Sequence, residues 1–123
     1  MRIARSSDAA LEPMATDTFS GTVRRRDLGR VETPEGTALA VTFQAGARTH
    51  WHRHAGGQVI YVLEGVGRVA TRETAAVEIR PGDLVEAPPD EEHWHGASPD
   101  AAMTHLALSF GETVWLEPVA DDI

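Results

Sequence analysis

No cysteine occurs among the 123 residues, so disulfides, thiolate metal sites and cysteine nucleophiles are all excluded. Lysine is absent too, since all 11 basic residues are arginine, and with it goes the amine that Schiff-base chemistry needs. No apolar run approaches the ~20 residues of a membrane span. The first twenty residues, through Ser20, carry no apolar core of roughly 7–15 residues behind their arginines. A cytoplasmic protein with no membrane partner is the expectation. Positive charge is also scarce: the formal net charge is −8. The one basic run, Arg24, Arg25 and Arg26, reads as a solvated strand edge and not as a phosphate-binding stripe, so nucleic acid is not an expected partner either. The length suits one domain with one real core, and one barrel or sandwich is enough to account for it.

Within those limits the chain divides in two. Residues 1–18 mix small, charged and turn-forming side chains without a period and read as an arm that wanders or lies against a neighbouring subunit. Residues 19–123 form the single domain, in which short alternating or β-branched runs recur every eight to twelve residues or so, the mark of an all-β barrel or sandwich. Candidate strands are Gly21–Arg26, Thr37–Phe43, Arg48–His54, Gln58–Glu64 and Arg68–Glu73. Further on come Ala76–Ile79, Leu84–Ala87, Glu92–Gly96, Met103–Phe110 and a short one near Trp115. Pro34-Glu35-Gly36, Gly56-Gly57, Pro81-Gly82-Asp83 and Pro88-Pro89-Asp90 supply the fixed or positive φ that turns demand, and the connections read as hairpins. Trp51 and Trp94, read as facing outward on a β-surface, join the irregular arm in suggesting a homodimer.

The six histidines cluster: His50, His52 and His54 on one candidate strand, His93 and His95 on another, His105 on a third. Strand side chains alternate, so His52 and His54 point to one face about 7 Å apart. The Ala55-Gly56-Gly57 turn then brings Gln58 alongside, while His93 must come from a distant strand. Three histidines plus one oxygen suit a first-row divalent ion with positions left open for substrate or water. Two readings stand for Gln58, a metal ligand or a hydrogen-bonding partner of a neighbouring strand end. His50 shares the face of His52 by parity but reads as a rim residue, and His95 as an outer support or rim of the pocket. His105, on the inward parity of Met103, Ala107 and Ser109, is either a buried neutral histidine or a base near the metal. Trp51, Trp94 and Trp115 read as packing residues. Glu86 interrupts an apolar strand and reads as solvent-facing. Leu39, Val41, Ile60, Val62, Ala107 and Ser109 are the expected pocket walls.

The spacing carries a resemblance. Gly46, five residues, His52, one residue, His54, three residues, Gln58, six residues and Gly65 resemble the first cupin motif. Gly82, five residues, Pro88, Pro89, Asp90, two residues and His93 resemble the second. Asp90 stands where the family has glycine, Ala97 where it often has asparagine, and Gln58 where most members place a glutamate ligand. The stretches GARTHWHRH, GQVIYVLEG, PGDLVEAPP, HWHGA and MTHLAL look like the short single-domain cupins grouped with carboxymuconolactone decarboxylases, a few of which are manganese-dependent hydroxynitrile lyases. The likeness runs from Phe19 to Val119. It implies a double-stranded β-helix, the jelly-roll barrel of the cupins, with one divalent ion held by His52, His54, Gln58 and His93 and a catalytic role for His105.

A neutral glutamine in place of glutamate leaves such a site near +2 where the usual one is near +1, which makes it a stronger Lewis acid and disfavours oxidation of iron(II). Lyase chemistry on a small oxygenated organic molecule is therefore the leading expectation, with His105 moving the proton. An iron-dependent dioxygenase and a non-catalytic metal- or ligand-binding cupin are the alternatives. Manganese and iron lead as the metal, with nickel, zinc and copper open.

Overall fold

The computed structural model describes residues 4–32 and 34–120. The first three residues of the expected arm, Thr33, and the last three residues of the expected domain lie outside the described residues. A 3-10 turn, Ser6–Asp8, precedes thirteen strands: β1 (Leu11–Pro13), β2 (Phe19–Ser20), β3 (Val23–Glu32), β4 (Glu35–Phe43), β5 (Arg48–Thr49), β6 (His52–His54) and β7 (Gln58–Gly65). Then follow β8 (Gly67–Thr71), β9 (Val77–Ile79), β10 (Leu84–Ala87), β11 (His93–Ala97), β12 (Met103–Phe110) and β13 (Thr113–Trp115). Among the described residues no helix is long and apolar enough to cross a membrane.

The strands form two antiparallel sheets. One runs β1-β3-β4-β12-β7-β10; the other is built around β11, with β8 and β9 on one side and β5 and β6, extended by β2 and β13, on the other. Hairpins join β3 to β4 and β8 to β9. Most other steps, such as β6 to β7, β7 to β8 and β11 to β12, change sheets, and this corrects the expectation of hairpins throughout. The turn residues are as expected, but they carry the chain around the rim from one layer to the other, which is the jelly-roll winding of a double-stranded β-helix. The face where the layers meet buries Phe19, Val23, Val41, Phe43, Ala47, Val62, Ile79, Ala97 and Met103. Val62 therefore belongs to this core and, like the buried Ile60, does not line the central cavity, contrary to expectation.

Local departures from the expected pattern occur at three places. The expected strand Arg48–His54 is broken at His50 and Trp51, whose N–H groups turn away from β11 to the carbonyls of Thr18 and Glu117. The break shifts the alternation by one, so Thr49, His52 and His54 face inward and His50 does not. Secondly, part of the arm is built into the chain's own sheet: Leu11, Glu12 and Pro13 pair with Arg26, Arg25 and Arg24, and Met14 packs on the core. Thirdly, Trp94 is fully buried and Trp51 nearly so, where outward positions were expected. They form a second small core with Ala70, Leu116 and Val119, closed by the chain beyond β13 and capped by Arg72 at 3.9 Å from the Trp51 ring centre. An amphipathic aromatic needs a cover when it leaves a strand's inner face, and here the chain supplies its own.

Among the motif glycines, Gly65 has the plainest physical reason. Its φ is +77° and a Cβ there would lie 1.9 Å from the carbonyl oxygen of Ala102, so any side chain is excluded twice over. Asp90, where the family has glycine, adopts φ 65°, a left-handed conformation that short polar side chains tolerate. Gly65→Ala should cost at least about 2 kcal/mol, whereas Asp90→Gly should hold stability or raise it by up to about 1 kcal/mol. Urea unfolding of both variants checks this, and a Gly65→Ala midpoint equal to that of the parent would contradict it.

Candidate metal centre

β6 points His52 and His54 into the barrel, and the tight turn at Gly57, φ +88°, returns the chain so that β7 opens on Gln58. Cross-strand register does the rest. His93 of β11 is the partner of His52, Ser109 of β12 is the partner of Gln58, and Thr113 of β13 is the partner of His54. The His52 ring centre lies 4.4 Å from that of His93 and 5.0 Å from that of His54, and His54 and His93 are 5.8 Å apart. All three rings are buried, as is Gln58.

Each ring is held by its outer nitrogen. His52 Nδ1 is 2.9 Å from the His50 carbonyl oxygen and His93 Nδ1 is 2.9 Å from that of Glu91. A carbonyl only accepts, so both Nδ1 atoms carry the hydrogen and both Nε2 atoms present a bare lone pair. His54 Nδ1 meets Thr113 Oγ1 at 2.9 Å, and its Nε2 is buried without a partner. Gln58 Nε2 donates to Ser109 Oγ at 2.9 Å, which turns Oε1 to within 2.8 Å of His93 Nε2. In this orientation the amide oxygen faces a lone pair, and a cation between them would make the contact favourable. Burial holds the His93 pKa below its ordinary value, so a proton does not fill that role, and a divalent ion fits the donor set.

The structure also brings in His95. One ring nitrogen each from His52, His93 and His95 lie within 4.8 Å of one another, so three histidines could hold one ion. Sequence reasoning placed His95 on the face of His93 by parity, as an outer support or a rim residue of the pocket, and not among the donors. His95 Nδ1 is 3.0 Å from His105 Nε2, and the far nitrogens of this pair, His95 Nε2 and His105 Nδ1, are buried without partners. His105 is fully buried and touches His95 and Phe43. Thr113 and Ser109 as supports of His54 and Gln58 were not legible as such, since only register pairs them.

Burial is the main cause of every pKa displacement here. It pushes His52 down to about 3, with His93 adding to the effect, and His54 down to about 4, again with His93 adding. His105 falls to about 4 by burial, and His95 lies well below its ordinary value through burial and then His105. The rings are thus neutral at pH 7, the form a metal requires. His52, His54, Gln58, His95 and His105 face a cavity of about 100 Å³. Its walls include Leu39, Val41, Ala107 and Ser109, as expected, and also Met14, Phe19, Phe43 and Trp115. Trp115 is therefore a cavity residue as well as a packing one, its ring centre 4.7 Å from that of His52. Among the described residues no carboxylate lines this cavity, and Glu86 is exposed on the outside of β10.

A small all-β barrel with inward histidines at the two motif positions is the architecture of one family, and residues 39–109 match the Cupin domain model, Cupin_2. The chain belongs to the cupin family. It is 44% identical over 127 aligned positions to (R)-mandelonitrile lyase of Granulicella tundricola, covering 99% of this chain and 97% of that one. It is 32% identical over 65 positions to acireductone dioxygenase of Rhodopseudomonas palustris, spanning half of this chain and 36% of that protein. Among solved structures, a cupin-like protein of Thermotoga maritima superposes with a TM-score of 0.84 at 37% identity, covering 89% of this chain and 87% of its own. A predicted oxalate decarboxylase of the same organism shares the fold, with a TM-score of 0.76 at 21% identity over 94% of this chain and all of that one.

The lowered pKa values fix a pH dependence. Unfolded histidines take up protons near pH 6.5, while the folded rings resist until pH 4 or 3. Over that window the unfolded chain binds more protons, so stability falls as pH falls, by up to about 1.4 kcal/mol per pH unit for each such ring. Thermal unfolding of the metal-free protein should show a melting temperature that drops steeply from pH 7 to pH 5. A flat profile would contradict a buried neutral cluster.

Proposed function

We propose that the chain is a metal-dependent lyase that cleaves an α-hydroxynitrile such as (R)-mandelonitrile into an aldehyde and hydrogen cyanide. The observation that carries this reading is the 44% identity to (R)-mandelonitrile lyase along essentially the whole of both chains. The donor set supports it, because His52, His54, Gln58 and His93 contribute no negative charge. A divalent ion held there, manganese or iron, supplies Lewis acidity toward a substrate oxygen.

The chain's own residues account for the rest. His105 is neutral at pH 7 and takes the substrate hydroxyl proton at the ring nitrogen not engaged with His95. The O–H electrons form the carbonyl as the bond to the nitrile carbon breaks, and the histidine pair returns the proton to the departing cyanide. His95, 3.0 Å away, steadies the His105 ring and shares its charge. Phe19, Phe43, Leu39 and Trp115 keep water from the reacting carbon and accept an apolar substituent.

A dioxygenase reading has its own support in the half-length likeness to acireductone dioxygenase, and one experiment separates the two. Manganese-loaded protein should release benzaldehyde from (R)-mandelonitrile without oxygen. His105→Ala should lower that rate on the order of 10²- to 10⁴-fold with metal content unchanged, and His52→Ala should lose metal and activity together. Oxygen uptake by the iron form with no anaerobic cleavage would establish the oxygenase instead. Metal retained with neither reaction would leave a binding cupin.

A further inference from the structure

The size of the cavity bears on which hydroxynitriles the site takes, a question that rests on the lyase reading above. The space that His52, His54, Gln58 and His105 face is about 100 Å³. An apolar cavity of about 150 Å³ encloses a single benzene ring. Here the smaller space has to take the hydroxyl and nitrile groups of the substrate, and the ion that the donors would hold draws on it as well. A phenyl group does not fit beside them.

Register shows which side chain sets the limit. β4 and β12 pair Val41 with His105, then Leu39 with Ala107, then Thr37 with Ser109, stepping from the buried His105 toward the surface, and each of these residues lines the cavity. At the middle step Ala107 offers only a methyl group, so Leu39 is the bulk that this sheet places beyond His105. From the other sheet Phe19 and Trp115 close the same space, their ring centres 5.5 Å apart. Leu39 also packs on the buried cluster around Phe43, so it does not swing aside without losing core contacts. Where the cavity adjoins the surface, Thr37 and Ser109 border a depression lined by Arg30, Glu35 and Glu112, the first two of which form an ion pair. An aromatic ring pushed out at this end would lie against exposed charges and gain no apolar burial. A methyl or ethyl group stays inside, against Leu39, Phe19 and Trp115. We infer that the site takes short-chain aliphatic α-hydroxynitriles in preference to aryl ones, and that Leu39 is the residue that sets the limit.

Initial rates of the manganese-loaded protein without oxygen test this. kcat/KM for lactonitrile should exceed that for (R)-mandelonitrile, and that for its saturated counterpart hexahydromandelonitrile, by about tenfold or more. The saturated ring separates size from aromatic activation of the nitrile. Leu39→Ala should narrow the gap, chiefly by raising kcat/KM for the two bulky substrates; should that variant fail to fold, Leu39→Val makes a smaller change in the same direction. Calorimetry with lactamide and mandelamide, which carry the two skeletons and release no cyanide, reads size without turnover. Lactamide should bind about tenfold more tightly. Bulky substrates cleaved as well as lactonitrile, or mandelamide bound as tightly as lactamide, overturn the size limit and leave the lyase reading standing. Cleavage of no hydroxynitrile overturns the lyase reading, and the two amides then decide the size limit by themselves. A gap unchanged in a folded Leu39 variant refutes the assignment to Leu39.

Discussion

Bare imidazole lone pairs gathered inside a barrel are the constraint on which this structure turns. For His52 and His93 the lone pair is left facing inward because the opposite nitrogen donates to a carbonyl, that of His50 or Glu91, while His54 is held through the Thr113 hydroxyl. Such a cluster is unfavourable alone, since neutral nitrogens that neither donate nor find a donor forfeit their hydration. The dense two-layer fold around them holds the arrangement against collapse or protonation. Stability is given up at the centre to keep the donors assembled, as functional sites generally require.

The means of holding it are modest and local. A break at His50 and Trp51 shifts the strand's alternation; cross-strand neighbours hold two of the four donors, Thr113 for His54 and Ser109 for Gln58, and carbonyls two residues back hold the other two. The same break hands backbone hydrogen bonds to Thr18 and Glu117, so both ends of the chain are tied to the strand carrying His52 and His54. The aromatic cluster of Trp51 and Trp94 then ties the chain beyond β13 to the outer side of the second sheet. Site geometry and closure of the barrel are one problem here.

Chemistry separates from fold in the second pair of histidines. The cupin barrel serves lyases and oxygenases alike, and fold alone selects neither. What distinguishes this site is a neutral amide at Gln58, a cavity lined by no carboxylate among the described residues, and His95 and His105 bonded to each other behind it. On the proposed reading, a neutral set of donors would leave the ion's charge to act on a substrate oxygen, and the buried neutral His105 would receive the proton.

The sequence by itself determined the fold class and the candidate donors. The spacing of His52, His54, Gln58 and His93 between fixed glycines and prolines is local information, and strand parity is a period of two that can be counted along the chain. Met103–Phe110 and Leu84–Ala87 are strands with the bounds their alternation gave, because nothing interrupts them. Parity fails where a hydrogen bond leaves the ladder, as at His50, since the acceptors on Thr18 and Glu117 are distant in the chain and no local pattern announces them. Which strands adjoin was likewise beyond the sequence: turn residues specify a reversal of direction but not whether the chain returns in the same sheet or crosses to the other. So Trp51 and Trp94 read as exposed, although the end of the chain lies over them. Tertiary structure alone joined His95 to His52 and His93, set Trp115 beside the cavity and gave Gln58 its oxygen-inward orientation through Ser109, because each depends on two strands whose register is decided only when the barrel closes.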